Sequence, residues 1–290
     1  LVHGEGDGMP GLIADFYNGT LVLQFHSVGM YRIKDTLYNS FSSVLGNRLK
    51  AVYNRSKGTL PEKFRSQTDN TWIVGNEPNI KVLENNFQFL VNVEKGQKTG
   101  FFIDQRENRK LLRKLAKGRK VLNMFGYSGG FSVYALGGEA EMVHTVDSSA
   151  AAIDLARENV DMNFPGSTKH EAITADAFEF LENTGNNYDL IVLDPPAFAK
   201  RRDVLHQALQ GYKRLNAKAL QSIQKGGILF TFSCSQVVSK ENFRKSVFVA
   251  AANTGRSVRI LYQLSQPPDH PVNIYHPEGE YLKGLVLYVE

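Results

Sequence analysis

The fold is decided by residues 121–131, which read VLNMFGYSGGF. The first half is an apolar run, typical of a strand buried on both faces, and the second half is a glycine-rich turn into an apolar helix. Glycine allows a backbone to adopt positive φ and to approach a ligand closely. A tight turn without any ligand would use the same residues, so this stretch by itself predicts only a strand–turn–helix unit.

From about residue 98 onward, short apolar strands alternate with helices. Such alternation predicts an α/β domain with a Rossmann-like, mostly parallel, doubly wound sheet, because each parallel strand needs a crossover helix. We place this domain at residues 96–290. We expect strands at 120–125, 142–147, 190–193 and 227–233, helices at 104–117, 150–162 and 205–224, and last strands at 256–264 and 281–289.

Residues 1–95 have a different pattern and predict a small α+β domain. A hairpin is expected at 12–17 and 21–25 over Asn18-Gly19, and a second one at 82–87 and 89–93 over Asn85-Asn86. Apolar residues at helical spacing predict a helix from Ile33 to Tyr53. The chain begins with Leu1 rather than Met, so we expect an upstream piece to be absent.

Composition narrows the class of protein. The 290 residues are 42% hydrophobic and 22% charged, as in a globular protein with two domains. No apolar run approaches the roughly 18 residues that span a bilayer, and no signal segment is visible, so we expect no membrane partner. The low cysteine count fits a reducing setting, so we expect a cytoplasmic protein. The single cysteine, Cys234, excludes an intrachain disulfide and a multi-cysteine zinc site, and we expect no metal. A homo-oligomer is compatible with the sequence.

Two carboxylates follow strands at the edge where such sheets bind ligands. Asp147 ends the second strand and could accept hydrogen bonds from both ribose hydroxyls, or cap the next helix. Residues 175–177, ADA, follow a third strand that precedes the strand at 190–193, and their Asp176 could receive an adenine amino group, or be an ordinary loop residue. The proposed cofactor-binding residues are Phe125, Gly126, Ser128, Gly129, Asp147, Ser148, Asp176, Ala177 and Asp194.

The kind of nucleotide follows from the glycine spacing. A Gly-x-Gly-x-x-Gly fingerprint fails, because Ser128 and Phe131 stand where its later glycines would be, and no Walker phosphate loop is present. An adenosine without a pyrophosphate fits better, which points to S-adenosylmethionine (SAM), whose tail is a sulfonium and an amino acid.

Residues 194–198, DPPAF, follow the fourth strand and are candidates for substrate binding. The two prolines fix the backbone, so neighbouring carbonyls could accept from a planar substrate, with Phe198 as a stacking face. A merely rigid loop is the alternative. The proposed substrate-binding residues are Pro195, Pro196, Phe198, Lys200, Arg201 and Arg202.

Cys234 follows the fifth strand, beside the expected position of Asp194. An isolated cysteine is either a small buried hydrophobe or a nucleophile. A thiolate there could add to carbon 6 of a cytosine and make carbon 5 able to accept a methyl group. Asp194 is the candidate acid at the ring nitrogen, and a base not identified by the sequence must remove the carbon-5 proton.

Taken together, these residues resemble the bacterial and archaeal family of large-subunit rRNA 5-methylcytosine methyltransferases that carry an N-terminal PUA domain. The resemblance covers nearly the whole chain. The motifs are at residues 4–8, 10–12, 98–106, the glycine-rich turn, 194–196, 233–235, 269–271 and 277–284.

The resemblance implies a class I SAM-dependent methyltransferase domain behind a small RNA-binding domain, with rRNA as partner. It also implies that residues 101–106 lie near the cofactor, which adds Gln105 and Arg106 to the cofactor-binding residues. From the residues alone, these two could simply start a helix.

Two features depart from related enzymes. We expect the PUA domain to be absent, and Ala197 stands where another branch of RNA 5-methylcytosine enzymes has a second cysteine, so Cys234 would be the sole nucleophile.

Basic residues that could contact RNA lie in two clusters. Lys200, Arg201 and Arg202 directly follow the DPPAF loop, and an RNA backbone held there would place an unstacked base near Asp194. The net charge of +5 is compatible with this interpretation, although a solvated charged face is the alternative. The other cluster comprises Arg48, Lys50, Arg55, Lys57, Lys63 and Arg65.

Two rival functions remain at this point. A methyltransferase acting on the exocyclic amine of guanine in RNA would use the DPPAF loop without a cysteine, and replacing Cys234 with alanine separates the two chemistries. An RNA-binding module with a degenerate methyltransferase fold would show no SAM binding in calorimetry.

Overall fold

The computed structural model describes all 290 residues and divides them into two compact units. The first unit comprises Leu1–Asp104 and Pro267–Gly279, and the second comprises Gln105–Gln266 and Glu280–Glu290. The expected boundary between residues 95 and 96 therefore lies before the division at Asp104. No pattern in the sequence indicated that Pro267–Gly279 belongs to the first unit.

The second unit is built from alternating strands and helices. Its strands are β8 (Lys120–Met124), β9 (Met142–Asp147), β10 (His170–Thr174), β11 (Tyr188–Leu193), β12 (Ile223–Ser233), β13 (Val258–Leu264) and β14 (Lys283–Val289). Its helices are α4 (Arg106–Leu115), α5 (Gly130–Gly137), α6 (Ala150–Asn163), α7 (Ala177–Asn183), α8 (Leu205–Ser222) and α9 (Lys240–Thr254).

These seven strands form one sheet in the order β10-β9-β8-β11-β12-β14-β13. The strands from β10 to β12 are parallel, and β14 runs antiparallel to both β12 and β13. The order reverses between β8 and β11, which is the switch point where such sheets bind ligands. The predicted α/β, mostly parallel sheet is confirmed, whereas the antiparallel direction of β14 carried no signal in the sequence.

The core of the second unit explains why the central strands read as unbroken apolar runs. The four residues of β11 from Leu190 to Leu193 are all buried, because helices cover both faces of the sheet.

The expected bounds of the strands are close to the observed ones, with one exception. The strand β12 begins at Ile223, so the preceding helix ends at Ser222, earlier than expected.

The first unit contains a five-stranded sheet and a separate hairpin. The sheet has the order β1-β2-β3-β4-β5, and β6 pairs only with β7. Both predicted hairpins are present, with Asn18, Asn85 and Asn86 at positive φ in their turns. The elements are β1 (Val2–His3), β2 (Leu12–Tyr17), β3 (Thr20–Phe25), α1 (Val28–Arg32), α2 (Lys34–Leu45), β4 (Ala51–Asn54), α3 (Glu62–Arg65), β5 (Thr71–Val74), β6 (Asn79–Glu84) and β7 (Phe87–Asn92).

The predicted helix from Ile33 to Tyr53 is wrong in its second half. The helix α2 ends at Leu45, and Gly46 follows with a φ of 53°, a conformation that interrupts the helix. Val52 and Tyr53 lie in β4, which is buried between β3 and β5. Their branched and aromatic side chains suit a strand, and long-range pairing overrode the helical spacing.

The segment Pro267–Gly279 packs on the first residues of the chain. The rings of His3 and His270 lie 4.5 Å apart between centroids, and a Cβ added to Gly6 would lie 1.9 Å from the carbonyl oxygen of Pro271. Only glycine fits at this position. Two of the motifs quoted above, at residues 4–8 and 269–271, therefore meet in space.

None of the helices combines the length and the apolar character needed to span a lipid bilayer.

Candidate active site

The glycine-rich turn between β8 and α5 has a strained backbone. Phe125 and Tyr127 have φ values of 58° and 43°, and Gly129 follows at 72°. Positive φ is costly for residues with a Cβ and is concentrated at functional sites. At Gly126, an added Cβ would lie 2.3 Å from Cγ2 of Thr145, so only glycine fits this turn against β9. Ser128 is buried, and its carbonyl accepts from Nδ2 of Asn159 at 2.8 Å.

Asp147 joins this turn to the loop that follows β9. Its Oδ2 accepts from the backbone N–H of Tyr127 at 3.1 Å, and its Oδ1 accepts from the N–H of Ser149 at 2.9 Å. The cap of α6 is Ser149, whose side chain accepts from the N–H of Ala152. Asp147 is thus partly buried at the carboxyl edge and is not the helix cap, while Ser148 beside it is exposed.

Asp176 caps the helix α7 with one carboxylate oxygen. Its Oδ1 accepts from the backbone N–H groups of Phe178 and Glu179, at 2.8 and 3.1 Å. The side chain is otherwise exposed at the carboxyl end of β10, and Ala177 next to it is buried. A capping role therefore accounts for one oxygen of Asp176 and leaves the residue accessible to a ligand.

Asp194 is held by two buried amides, Gln105 directly before α4 and Asn108 within its first turn. Nε2 of Gln105 donates to Oδ2 of Asp194 at 2.9 Å, and Nδ2 of Asn108 donates to Oε1 of Gln105 at 2.7 Å. Gln105 and Asn108 are 3% and 4% exposed. This places Gln105 at the edge of the sheet, whereas Nε of Arg106 lies 3.3 Å from Oε1 of Glu107 near the surface.

The loop after Asp194 is anchored on α8. The ring of Phe198 lies 4.6 Å from that of Tyr212, and a Cβ added to Gly211 would lie 2.9 Å from Cδ2 of Phe198. One face of Phe198 is therefore covered by its own chain. Pro195 is buried and Pro196 is exposed, so the two prolines differ in what they present to solvent.

Cys234 lies at the end of β12, where its surroundings are polar. Its Sγ is 3.9 Å from the carbonyl oxygen of Pro195, so the cysteine and the Asp194 loop meet at one edge of the sheet. On one side, Oγ of Ser233 donates to the hydroxyl of Tyr212 at 2.9 Å, and on the other, Oγ of Ser235 donates to the carbonyl of Ala199. Cys234 itself is partly accessible to solvent.

Two ionisable side chains beside Cys234 have displaced pKa values. Burial raises the pKa of Tyr212 to about 12, and the nearby Cys234 and Asp194 act in the same direction. Burial lowers the pKa of Lys283 to about 8, against the opposing effects of Cys234 and Glu280. Perturbed groups clustered in this way favour a functional site.

The basic clusters differ in accessibility. Lys200, Arg201 and Arg202 are all exposed, and Arg201 pairs with Asp203 at 3.3 Å. In the other cluster, several cations already bind groups within the first unit. The guanidinium of Arg55 donates to the carbonyls of Val93 and Gly96, and that of Arg65 donates to the carbonyl of Leu60. Lys57 forms an ion pair with Asp69.

Sequence reasoning missed Asn108, Tyr212 and Lys283. Asn108 and Tyr212 lie inside helices, far along the chain from the residues they support, so local pattern gave no signal. Lys283 stands in the motif at residues 277–284, but its position beside Cys234 depends on the antiparallel direction of β14.

The sheet, its switch point and the strained glycine turn define a class I, nucleotide-binding α/β fold. The model of the family of S-adenosylmethionine-dependent methyltransferases matches residues 1–284. The chain belongs to this family, and SAM is its cofactor.

Individual relatives agree with this assignment. A protein of Yersinia pestis bv. Antiqua (strain Angola), named ribosomal RNA large subunit methyltransferase I, is 36% identical over 294 residues, covering 100% of this chain and 74% of the relative. The crystal structure of SMU.776 in complex with SAH has a TM-score of 0.86 at 23% identity, covering 99% of this chain and 74% of the other. The tRNA m1G37 methyltransferase of M. jannaschii has a TM-score of 0.63 at 17% identity, covering 97% and 76%; at such identities the likeness concerns the fold alone.

Proposed function

We propose that this chain methylates carbon 5 of a cytosine in large-subunit rRNA, with Cys234 as nucleophile. The observation that carries the proposal is the 3.9 Å distance between Sγ of Cys234 and the carbonyl of Pro195, which follows Asp194. A thiol and a carboxylate loop at the same edge of the sheet can act on the same base. The name of the Yersinia pestis relative, at 36% identity over the whole chain, supports rRNA as the substrate.

The residues at the switch point fit SAM. Each oxygen of Asp147 accepts one backbone N–H and, as a carboxylate oxygen, can accept a further bond from a ribose hydroxyl. Gly126 and Gly129 let the turn pack closely on β9 and α6, since an added Cβ would lie 2.3 Å from Cγ2 of Thr145 and 3.0 Å from Cβ of Ala156. Asp176 would bind the adenine amino group, and Gln105 would hold Asp194 at the edge that the cofactor and the base share. When bound, SAM supplies an electrophilic methyl group.

The reaction begins with the thiolate of Cys234. Its sulfur adds to carbon 6 of cytosine, and the electron pair of the 5,6 double bond becomes available at carbon 5. Protonated Asp194 donates to the ring nitrogen and stabilises the charge that develops there. After methylation, a base removes the carbon-5 proton, and the electron pair of that bond restores the 5,6 double bond. The carbon–sulfur bond breaks with its pair returning to the sulfur, and the ring nitrogen returns its proton to Asp194.

The base must leave its stack to reach these groups. The exposed cations Lys200, Arg201 and Arg202 directly follow the substrate loop and would hold the neighbouring phosphates. Pro196 would contact the base at the exposed rim, and the part of the Phe198 ring that Tyr212 and Gly211 do not cover would contact it as well.

Trapping tests this proposal directly. RNA that carries 5-fluorocytidine has no proton to lose at carbon 5, so the adduct with Cys234 should accumulate in the presence of SAM and appear as a shifted band. Cys234→Ser should abolish both the adduct and 5-methylcytosine formation while SAM binding persists. The exposed Ser265→Ala serves as the control and should behave like the wild type.

Guanine amine methylation remains the rival outcome. If Cys234→Ala retains turnover and nucleoside mass spectrometry finds methylated guanine, the carbon-5 proposal fails. Loss of SAM binding in the wild-type protein would contradict catalysis altogether.

A further inference from the structure

Lys283 reaches the active edge of the sheet because β14 is antiparallel. It opens β14 and pairs with Ser233, the last residue of β12 and the neighbour of Cys234. In a parallel strand, the first residue would lie at the opposite edge. The next residue, Gly284, leaves room for Phe232, since a Cβ there would lie 2.6 Å from Cδ1 of that ring.

The side chain of Lys283 is buried and held in one direction. The residue is 3% exposed, and its Nζ donates to the carbonyl of Ser235 at 2.6 Å. A buried ammonium is costly, so such groups are found where a partner or a function compensates for the lost hydration. This bond fixes the ammonium against the turn of residues 233–235, which carries Cys234 at its centre.

Three groups act electrostatically on Lys283: Cys234 and Glu280 raise its pKa, and Lys240 lowers it. Glu280 and Lys240 form an ion pair with each other at a more exposed position. With a pKa of about 8, Lys283 still carries its proton near neutral pH, and Tyr212, with a pKa near 12, is neutral there. Asp194 is held by Gln105.

We infer that Lys283 is a positioning residue, whose buried ammonium keeps Cys234 in its reactive thiolate form. The inference rests on the proposed function. The thiol proton leaves to water, the sulfur electron pair forms the bond to carbon 6, and the same pair returns to sulfur when that bond breaks. Lys283 keeps its protons throughout and stabilises the negative sulfur before attack and after release.

The single cysteine makes this inference directly measurable. Alkylation by iodoacetamide reports Cys234 alone, and its rate as a function of pH gives the midpoint of thiolate formation. Two variants separate charge from hydrogen bonding: Lys283→Met removes both, whereas Lys283→Gln keeps a donor for the carbonyl of Ser235. Lys245→Met, an exposed lysine of α9, is the control.

Both Lys283 variants should move the midpoint to higher pH by about one unit, so alkylation near neutral pH slows about tenfold. The control should superpose on the wild type. A Lys283→Gln profile that superposes on the wild type overturns the inference, because the charge would then have no effect. Calorimetric SAM binding shows whether each variant retains its fold.

A wild-type measurement covers the case in which the variants do not fold. The ratio of alkylation rates by anionic iodoacetate and neutral iodoacetamide should exceed that of the urea-unfolded chain, since a nearby cation attracts the anion. An equal ratio overturns the inference. These readouts need no RNA, so they remain valid if Cys234→Ala retains methyl transfer and the proposed function itself fails.

Discussion

Asp194 derives its orientation from side chains that never reach the substrate. Gln105 and Asn108 form a chain of two hydrogen bonds, which ends on the carboxylate, and both amides are buried. A buried amide that loses its partner costs about 1–3 kcal/mol, so the pair has one strongly preferred arrangement. Positioning of Asp194 is thus a property of α4.

Removing the outer amide should therefore weaken catalysis more than cofactor binding. We expect Asn108→Ala to reduce kcat about tenfold, equivalent to about 1.4 kcal/mol, because Gln105 is released to rotate away from Asp194. SAM affinity should change by less than about threefold, which is below 0.7 kcal/mol. Steady-state kinetics and calorimetry give both values, with the exposed Asn183→Ala as control. An unchanged kcat would contradict this role.

At the scale of elements, the glycine turn depends on how closely β8 and β9 approach each other. Gly126 lies against Thr145 of β9, and the hydroxyl of Thr145 is bonded to Ser132 at 2.6 Å and to His170 at 2.8 Å. Ser132 in turn accepts from Asn123 of β8 at 2.9 Å. A polar chain of side chains therefore connects four neighbouring elements, β8, α5, β9 and β10, beneath the cofactor turn.

This arrangement predicts a rescue experiment. Gly126→Ala should reduce SAM affinity at least about tenfold, because its Cβ would clash with Cγ2 of Thr145 and displace the turn. Adding Thr145→Ser removes that methyl group but keeps the hydroxyl, so the double variant should recover most of the affinity. Calorimetry measures both. If the double variant is no better than Gly126→Ala alone, the clash is not the cause.

The same polar chain makes stability depend on pH through β10. Burial lowers the pKa of His170 from 6.5 to about 4, so the unfolded chain takes up a proton first as pH falls. The stability from neutral His170 is present above about pH 6.5 and is lost as the pH decreases toward about 4. Urea unfolding at pH 7.5 and about pH 5 should show a smaller pH effect in His170→Asn than in the wild type.

The exposed His206 is the matched histidine for this comparison. His206→Asn should keep the pH effect of the wild type. Equal pH effects in wild type and His170→Asn would place the acid sensitivity elsewhere in the chain.

Elements were predictable where their signals were local. The strands β8, β9 and β11 were apolar runs with turns at both ends, so the sequence located them closely. Tyr53 was assigned to a helix because its place in β4 depends on pairing with distant β3 and β5. Lys283 and Tyr212 became part of the candidate site only through the direction of β14 and the packing of α8, which no local pattern contains.

At the scale of the whole molecule, charge should govern RNA binding. The net charge is +5, and Lys200, Arg201 and Arg202 are exposed next to the substrate loop. Replacing all three with glutamine should weaken RNA binding and reduce the slope of log K against log salt by up to about two, since each phosphate contact on single strands contributes about 0.7. Filter binding over a salt series measures the slope.

The control for this prediction replaces three other exposed lysines, Lys110, Lys114 and Lys117, with glutamine. It changes the net charge equally and should leave most of the slope in place. Equal slopes in the two triple variants would mean that the substrate loop has no special role in holding phosphates.

The course of the chain through the two units has a consequence for biosynthesis. Because Pro267–Gly279 belongs with Leu1–Asp104, and Gly6 has no space for a side chain beside Pro271, the amino-terminal half cannot finish folding while the ribosome is still making α9. Its last piece arrives only after nearly all of the catalytic half has emerged. An expression fragment ending at Asp104 would lack this piece, whereas a circular permutant that joins the two segments by a short linker would supply it.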